Sequence, residues 1–120
     1  MIGIDLISLV RVKRFMKGNK VSRLKTLLSP QELKSSSRLS AANLAKMFAA
    51  KEAFFKAADL PWMGLEGFAG IEVKYLPQGR FRVKFTNSQH ASGSEGTGCF
   101  FRTGNLVGAQ VILHHAVAAS

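Results

Sequence analysis

A long helix near the middle of the chain is the strongest constraint on the fold. Residues 39–60 are rich in alanine, leucine, lysine and methionine, which favour helix, and Pro61 follows them, where proline ends a helix. The residues at helical spacing fall on one broad stripe, which consists of Leu44, Met47, Phe48, Lys51, Phe55 and Ala58. The pattern therefore predicts one long helix with a single buried stripe.

Short apolar or alternating segments on both sides of this helix predict strands. Residues 2–7 predict a short buried strand in which Gly3, Asp5 and Ile7 share one face and the isoleucines and leucine between them share the other. Further strands are expected at 71–75, 80–85, 99–102 and 106–113, with a hairpin turn at 77–79 and loops at 62–70 and 87–98. Short helices are expected at 8–16, 21–28 and 30–35. This order predicts one domain over residues 1–120, of the α+β class with an antiparallel sheet.

The charge of the chain is strongly positive and uneven. Lysine and arginine total 17 against 7 acidic residues, a formal net charge of +10. Such a balance favours an anionic partner: nucleic acid, a phosphate-rich small molecule, an acidic protein or a membrane surface. Basic residues crowd positions 11–25, whereas Asp5 is the only acid before Glu32. This segment is either a solvated helix face or, as we favour, a docking surface for an acidic macromolecule.

Cysteine content and hydropathy exclude several classes. Cys99 is the single cysteine, which excludes an internal disulfide framework and a cysteine zinc cluster. The apolar runs are too short to cross a bilayer, and the first residues lack the basic and apolar regions of a secretion signal. We therefore expect a cytoplasmic protein that does not contact membranes.

Two acids stand in apolar surroundings. Asp5 lies inside the first predicted strand, where a buried carboxylate needs a partner or a cation. Glu52 lies at the edge of the apolar stripe, with Lys56 four residues later, so a surface ion pair on the helix is one interpretation. The other is that both carboxylates hold one Mg²⁺, which commonly takes one or two carboxylates together with water and substrate phosphates.

Several segments resemble one enzyme family in the same order along the chain. Residues 48–57, Phe-Ala-Ala-Lys-Glu-Ala-Phe-Phe-Lys-Ala, resemble the signature helix of the holo-acyl-carrier-protein synthases. Residues 1–12 resemble the opening of these proteins, and residues 28–33, Leu-Ser-Pro-Gln-Glu-Leu, resemble their second motif. Residues 67–73 and 109–112 also fit. The resemblance therefore covers nearly the whole chain.

The resemblance implies a fold and a reaction. The fold is that of the 4'-phosphopantetheinyl transferases, and the reaction moves 4'-phosphopantetheine from coenzyme A to a serine of apo acyl carrier protein, within fatty acid biosynthesis. Asp5 and Glu52 match the family's magnesium-binding acids. Lys56 matches a lysine near the coenzyme A phosphates, so catalysis is expected from Asp5, Glu52 and Lys56, with Glu52 also a candidate general base.

The resemblance also implies partners. Arg11, Arg14 and Phe15 match the region that docks the acidic carrier protein. The family is typically homotrimeric, with active sites in clefts between subunits. A trimer would also enlarge the core available to so short a chain.

The chain departs from the family pattern mainly around the coenzyme A phosphates. Ser8 stands where the family usually has glutamate, and Met47 replaces an arginine. Residues 58–61 replace a glycine turn, and residues 99–103 replace a strand with serine and histidine. Lys46 and Arg102 are the cations that we expect to contact the coenzyme A phosphates instead. An active, divergent enzyme is the favoured interpretation.

Two alternatives remain open. A nucleic-acid-binding module is the less favoured, supported by the charge of +10 and by Arg80, Arg82 and Lys84 on one face of a strand. A non-catalytic binder of acyl carrier protein would keep the basic helix and lack the chemistry.

Overall fold

Five strands and four helices account for most of the chain in the computed structural model, which describes residues 1–35, 40–59, 65–86 and 95–114. The elements are β1 (Ile2–Ser8), α1 (Leu9–Lys17), α2 (Val21–Lys25), α3 (Pro30–Ser35), α4 (Ala41–Ala58), a 3₁₀ helix (Leu65–Gly70), β2 (Ile71–Tyr75), β3 (Arg80–Phe85), β4 (Glu95–Thr103) and β5 (Leu106–His114). None of the helices in these ranges is both long enough and apolar enough to cross a membrane.

The strands form one antiparallel sheet in the order β1-β5-β4-β3-β2. The predicted α+β class with an antiparallel sheet is therefore confirmed. Strand β1 lies at one edge and pairs with β5, with Asp5 opposite Ala109. This pairing fixes which side of β1 faces the helices.

Helix α4 packs across one face of the sheet, mainly against β1 and β5. Its ends are set locally: the Ser40 side chain accepts from the Asn43 backbone N–H, and Asp59 ends the helix in a left-handed conformation with φ 54°. The buried stripe predicted for α4 covers less of the helix surface than is buried in the structure. The alanines of α4 between positions 45 and 57 are buried as well, so neighbouring elements cover most of the circumference of the helix.

Contact between α4 and β1 is close because Gly3 has no side chain. A Cβ at Gly3 would overlap the Ala53 carbonyl oxygen and lie 2.8 Å from the Ala57 backbone N. The two backbones therefore pack directly against each other, and Asp5, two residues along on the same face of β1, points toward α4.

The structure corrects several expected boundaries. Strand β1 is buried on one face only, since Ile2, Ile4 and Leu6 are 61%, 52% and 53% exposed. Residues 95–98 belong to β4, because β5 and β3 supply their hydrogen-bonding partners. Residues 65–70, expected as loop, form the 3₁₀ helix, and α2 ends at Lys25 instead of residue 28. Pro61 and the remaining loop residues at 62–64 and 87–94 lie outside the described residues.

We predict that Gly3→Ala destabilises the fold by about 3 kcal/mol, because a methyl group would force β1 and α4 apart. Urea denaturation measures the change. The matched control is Gly70→Ala, at which a Cβ would meet nothing within 4 Å. Equal stability of Gly3→Ala and wild type would contradict direct backbone packing.

Candidate functional site

Asp5 forms the floor of the candidate site. It lies in the middle of β1 on the face that α4 covers, and it is only 8% exposed. Lys56 reaches it from α4: Lys56 Nζ donates to Asp5 Oδ1 at 2.7 Å and to the Ile4 carbonyl oxygen at 3.4 Å. This contact has two causes: strand alternation turns Asp5 inward, and α4 packs closely on β1.

Glu52 lies one helical turn before Lys56, so both side chains project from the same side of α4. Burial raises the pKa of the half-buried Glu52 carboxyl to about 7. The negative charge of nearby Asp5 adds to the rise, and the positive charge of Lys56 opposes it. Glu52 and Asp5 are therefore neighbours from separate elements. Lys56 makes its short ion pair with Asp5, so the simple surface pair with Glu52 is not what the structure contains.

This arrangement fits a divalent cation. Asp5 Oδ2 is buried and has no hydrogen-bond partner within the described part of the chain. The ammonium group of Lys56 pairs with Asp5, and a divalent cation would offset the negative charge that remains on the two neighbouring carboxylates. Among the described residues no cluster of three or more His, Cys, Asp and Glu side chains could hold a metal. A two-carboxylate site suits Mg²⁺, which fills its other positions with water and phosphate oxygens.

Lys46 and Arg102, which were expected together with Lys56 to contact the coenzyme A phosphates, make other contacts in the structure. Lys46 is ten positions before Lys56 on α4, about 15 Å along the axis, and its Nζ lies 5.9 Å from the ring centroid of Phe100. Arg102 is exposed near the end of β4, where its Nε donates to the Gly104 carbonyl oxygen at 3.3 Å. The contacts that the structure gives these two cations are therefore not with the acidic pair.

The residues expected to dock a partner lie on α1, which directly follows β1. Arg11 and Arg14 are exposed, and neither forms an ion pair with a carboxylate of the described residues. Phe15 is half-buried and packs edge-to-face on Phe48 of α4, with ring centroids 5.9 Å apart. Phe15 therefore helps to hold α1 on α4, whatever else it contacts.

Lys51 was predicted to lie on the buried stripe of α4, with no further role. In the structure its side chain is fully buried, and Nζ lies 2.8 Å from Glu32 Oε1. The signal that could have indicated this pair is a lysine inside an apolar stripe, together with Glu32 in the first turn of another predicted helix.

Two cavities among the described residues are lined by neither Asp5 nor Glu52. One of about 770 Å³ lies beside β2 and is lined in part by Gln31, Glu72 and Tyr75. A second of about 400 Å³ lies over β3, β4 and β5, lined in part by Arg80 and Gln110. The acidic pair belongs instead to the groove where α4 meets the edge strand β1.

Comparisons with known proteins agree with this architecture. Residues 1–101 match the family model of the 4'-phosphopantetheinyl transferase superfamily, and the chain belongs to that superfamily. The chain is similar to the holo-[acyl-carrier-protein] synthase of Geotalea daltonii, with 42% identity over 73 residues, 59% of this chain. It is also similar to the enzyme of the same name from Ruthia magnifica, with 48% identity over 81 residues, 66% of this chain. The chain spans 58% and 64% of the lengths of these two relatives.

A solved structure shares the fold. The holo-[acyl-carrier-protein] synthase of Helicobacter pylori, solved in complex with coenzyme A, matches with a TM-score of 0.77. The match covers 95% of this chain and 100% of that protein, at 23% sequence identity. The resemblance noted in the sequence is therefore confirmed at the level of family and fold.

We predict that the metal-free protein loses stability as the pH rises from about 4.5 to about 7. Folded Glu52 binds its proton more tightly than the unfolded chain does, so its contribution to stability is full below the unfolded pKa and disappears above the folded pKa. Urea midpoints at pH 5 and pH 8 in the presence of EDTA measure the loss.

Glu52→Gln should make this part of the pH profile flatter, whereas Glu72→Gln, on β2, should keep the wild-type profile. The same pH-dependent loss in wild type and Glu52→Gln would show that Glu52 is not its source.

Proposed function

We propose that the chain transfers 4'-phosphopantetheine from coenzyme A to a serine of apo acyl carrier protein, giving holo acyl carrier protein and adenosine 3',5'-bisphosphate. The observation that carries the proposal is the convergence of Asp5, Glu52 and Lys56 in one groove, with a buried Asp5 oxygen that has no partner among the described residues. Membership of the superfamily and the names of the two relatives support the same activity.

Asp5 and Glu52 would hold Mg²⁺. When bound, the ion would neutralise charge on the diphosphate of coenzyme A. The two acids come from different elements, β1 and α4, so the separation between their carboxyl groups depends on how α4 packs on the sheet. Dependence of the enzyme on magnesium is part of the proposal.

Lys56 is the group best placed to support the leaving group. Its side chain is 59% exposed, so the ammonium group lies at the open side of the groove. It donates one hydrogen bond to Asp5 and has further protons available for a substrate. In the reaction the serine oxygen forms a bond to the phosphorus next to pantetheine, and the bond from that phosphorus to the bisphosphate breaks. Positive charge from Lys56 stabilises the negative charge that grows on the departing oxygen.

Glu52 is the candidate base. Its half-buried carboxylate, on the same side of α4 as Lys56, can accept the serine proton directly or through a water molecule. Lys46 and Arg102 would bind the outer phosphates of coenzyme A in place of the family residues that this chain lacks. Lys46 lies about 15 Å along α4 from Lys56, which suits the end of an extended substrate better than its reacting centre.

Helix α1 would dock the carrier protein. Arg11 and Arg14 present positive charge beside the end of β1, a few residues after Asp5, so an acidic partner bound there would lie next to the acidic pair. Phe15 would contribute as a residue that holds α1 against Phe48.

We further propose a homotrimer in the cytoplasm, in which this 120-residue domain works in fatty acid biosynthesis. The outer face of β1 and β5 supports association, because Ile2, Ile4, Leu6 and Ile112 are all about half or more exposed and adjacent in the sheet. Monomers rarely leave a contiguous apolar patch of this kind uncovered. The position of the acidic pair at an edge-strand groove also suits a site that a neighbouring subunit completes. The number three rests on the family resemblance.

We predict that the purified protein adds phosphopantetheine to an apo acyl carrier protein when coenzyme A and Mg²⁺ are supplied, as seen by mass spectrometry. Asp5→Asn and Glu52→Gln should each lower the rate by about 100-fold or more, since each removes a carboxylate from the groove. Lys56→Met should lower it by a similar factor.

Glu72→Gln is the matched acidic control and should keep the wild-type rate. Arg11→Glu combined with Arg14→Glu should raise the KM for the carrier and change kcat little. Carrier binding without any mass gain, unaffected by Asp5→Asn, would favour a non-catalytic binder. Tight RNA binding with a steep salt dependence and no mass gain would favour the nucleic-acid alternative.

We predict that Ile4→Lys converts the trimer to monomer, because it places a charge in the middle of the exposed apolar patch. Light scattering coupled to gel filtration measures the mass. Val21→Lys, at a position on α2 that is 60% exposed, should leave the mass unchanged. A wild-type protein that is monomeric at micromolar concentration would refute the trimer.

A further inference from the structure

Lys51 is a fully buried lysine whose three contacts lie in three different parts of the chain. Its Nζ lies 3.1 Å from the Leu27 carbonyl oxygen, 2.8 Å from Glu32 Oε1 and 2.7 Å from the Phe68 carbonyl oxygen. An ammonium group has three protons to donate, and these three oxygens match that number. Burial lowers the pKa of Lys51, and Glu32 counteracts the effect.

Glu32 extends the network to a third helix and to the sheet. Its Oε1 accepts from the Ser29 backbone N–H at 2.8 Å, while the Ser29 hydroxyl accepts from the Glu32 backbone N–H at 3.2 Å. Its Oε2 accepts from the Val73 backbone N–H at 2.8 Å, on the edge strand β2. Through this pair, α4 is tied to the start of α3, to the end of the 3₁₀ helix and to β2.

Helix α4 is thus held on two sides. On one side its backbone contacts Gly3, and Lys56 pairs with Asp5. On the other side Lys51 is anchored in polar contacts that tolerate little rotation or sliding of the helix, because hydrogen bonds weaken steeply with distance and angle. Glu52 follows Lys51 directly in the chain, so the anchor and the candidate metal ligand share one stretch of backbone.

We propose that Lys51 is a positioning residue: its ion pair with Glu32 sets the rotation of α4 that brings Glu52 to Asp5. The consequence for metal binding rests on the proposed function, whereas the consequence for helix orientation does not. An apolar side chain of the same length would fill the space, but it would remove the positive charge that pairs with Glu32, whose carboxylate keeps its backbone N–H donors. It would also remove the Lys51 donor from the Leu27 and Phe68 carbonyl oxygens. The helix and α3 would then shift to bring those groups to water.

The test compares Lys51→Met with wild type in two measurements at low temperature, where both are folded. Residual dipolar couplings of the α4 amides should show a changed angle between α4 and the sheet. Calorimetric titration with Mg²⁺ and Mn²⁺ should show affinity about tenfold weaker or more, the usual cost of disturbing groups that orient a metal ligand.

Two further variants separate positioning from general loss of stability. Glu32→Gln combined with Lys51→Met removes the unpaired buried charge, so it should recover much of the lost Tm while the metal affinity stays weak. Val83→Ala removes buried volume from β3, far from β1, and should lower the Tm while wild-type affinity and helix orientation are kept.

An unchanged helix angle in both Lys51 variants would overturn the proposal. So would an affinity loss in Val83→Ala equal to that in Lys51→Met. If wild type binds neither metal in a manner that Asp5→Asn abolishes, the metal site of the proposed function fails, and the helix angle alone then decides whether Lys51 positions α4.

Discussion

The direct packing of α4 on β1 is the constraint on which the candidate site depends. Because Gly3 carries no side chain, the helix lies against the strand backbone, and Lys56 can reach both Asp5 and the Ile4 carbonyl oxygen. A larger residue at position 3 would separate the two carboxylates along with the two backbones. The chemistry of the groove is therefore set first by a steric condition and only then by charge.

The balance of charge differs between the two places where ionised side chains are buried. The chain carries +10 overall, yet at the groove the buried Asp5 and the half-buried Glu52 lie beside one exposed lysine, Lys56, which pairs with Asp5. In the buried pair of Lys51 and Glu32, one positive charge offsets one negative charge, and both groups are hydrogen-bonded. This pair therefore serves the fold. Asp5 and Glu52 lack such a balance, and within the described part of the chain Asp5 Oδ2 has no hydrogen-bond partner, which is the property expected of a place where a cation binds.

Periodicity in the sequence was sufficient to predict most helices and strands, but it was insufficient to predict the contacts between them. The β2–β3 hairpin was predicted from alternation, and α3 was predicted at the residues where it lies. The reciprocal hydrogen bonds between Ser29 and Glu32 account for its start. Residues 95–98 were missed because their glycines suggested a loop; in the sheet, Gly96 and Gly98 leave room for Val111 and the Phe81 ring.

The proximity of Asp5 and Glu52 was predicted from the family resemblance, since no local pattern relates positions so far apart. The anchoring of Lys51 depends on backbone carbonyls of two other segments, which side-chain patterns do not reveal.

The pairing of β1 with β5 has a consequence for how the protein is made. Strand β1 is synthesised before the other strands, yet its sheet neighbour is β5, which leaves the ribosome after them. During translation the segment that carries Asp5 therefore has no strand to pair with until β5 has been synthesised, and its isoleucines are exposed in the meantime. Pairing between such distant positions is slow because a large loop must close. This nascent chain should accordingly rely more on chaperones than a helical protein of equal length does.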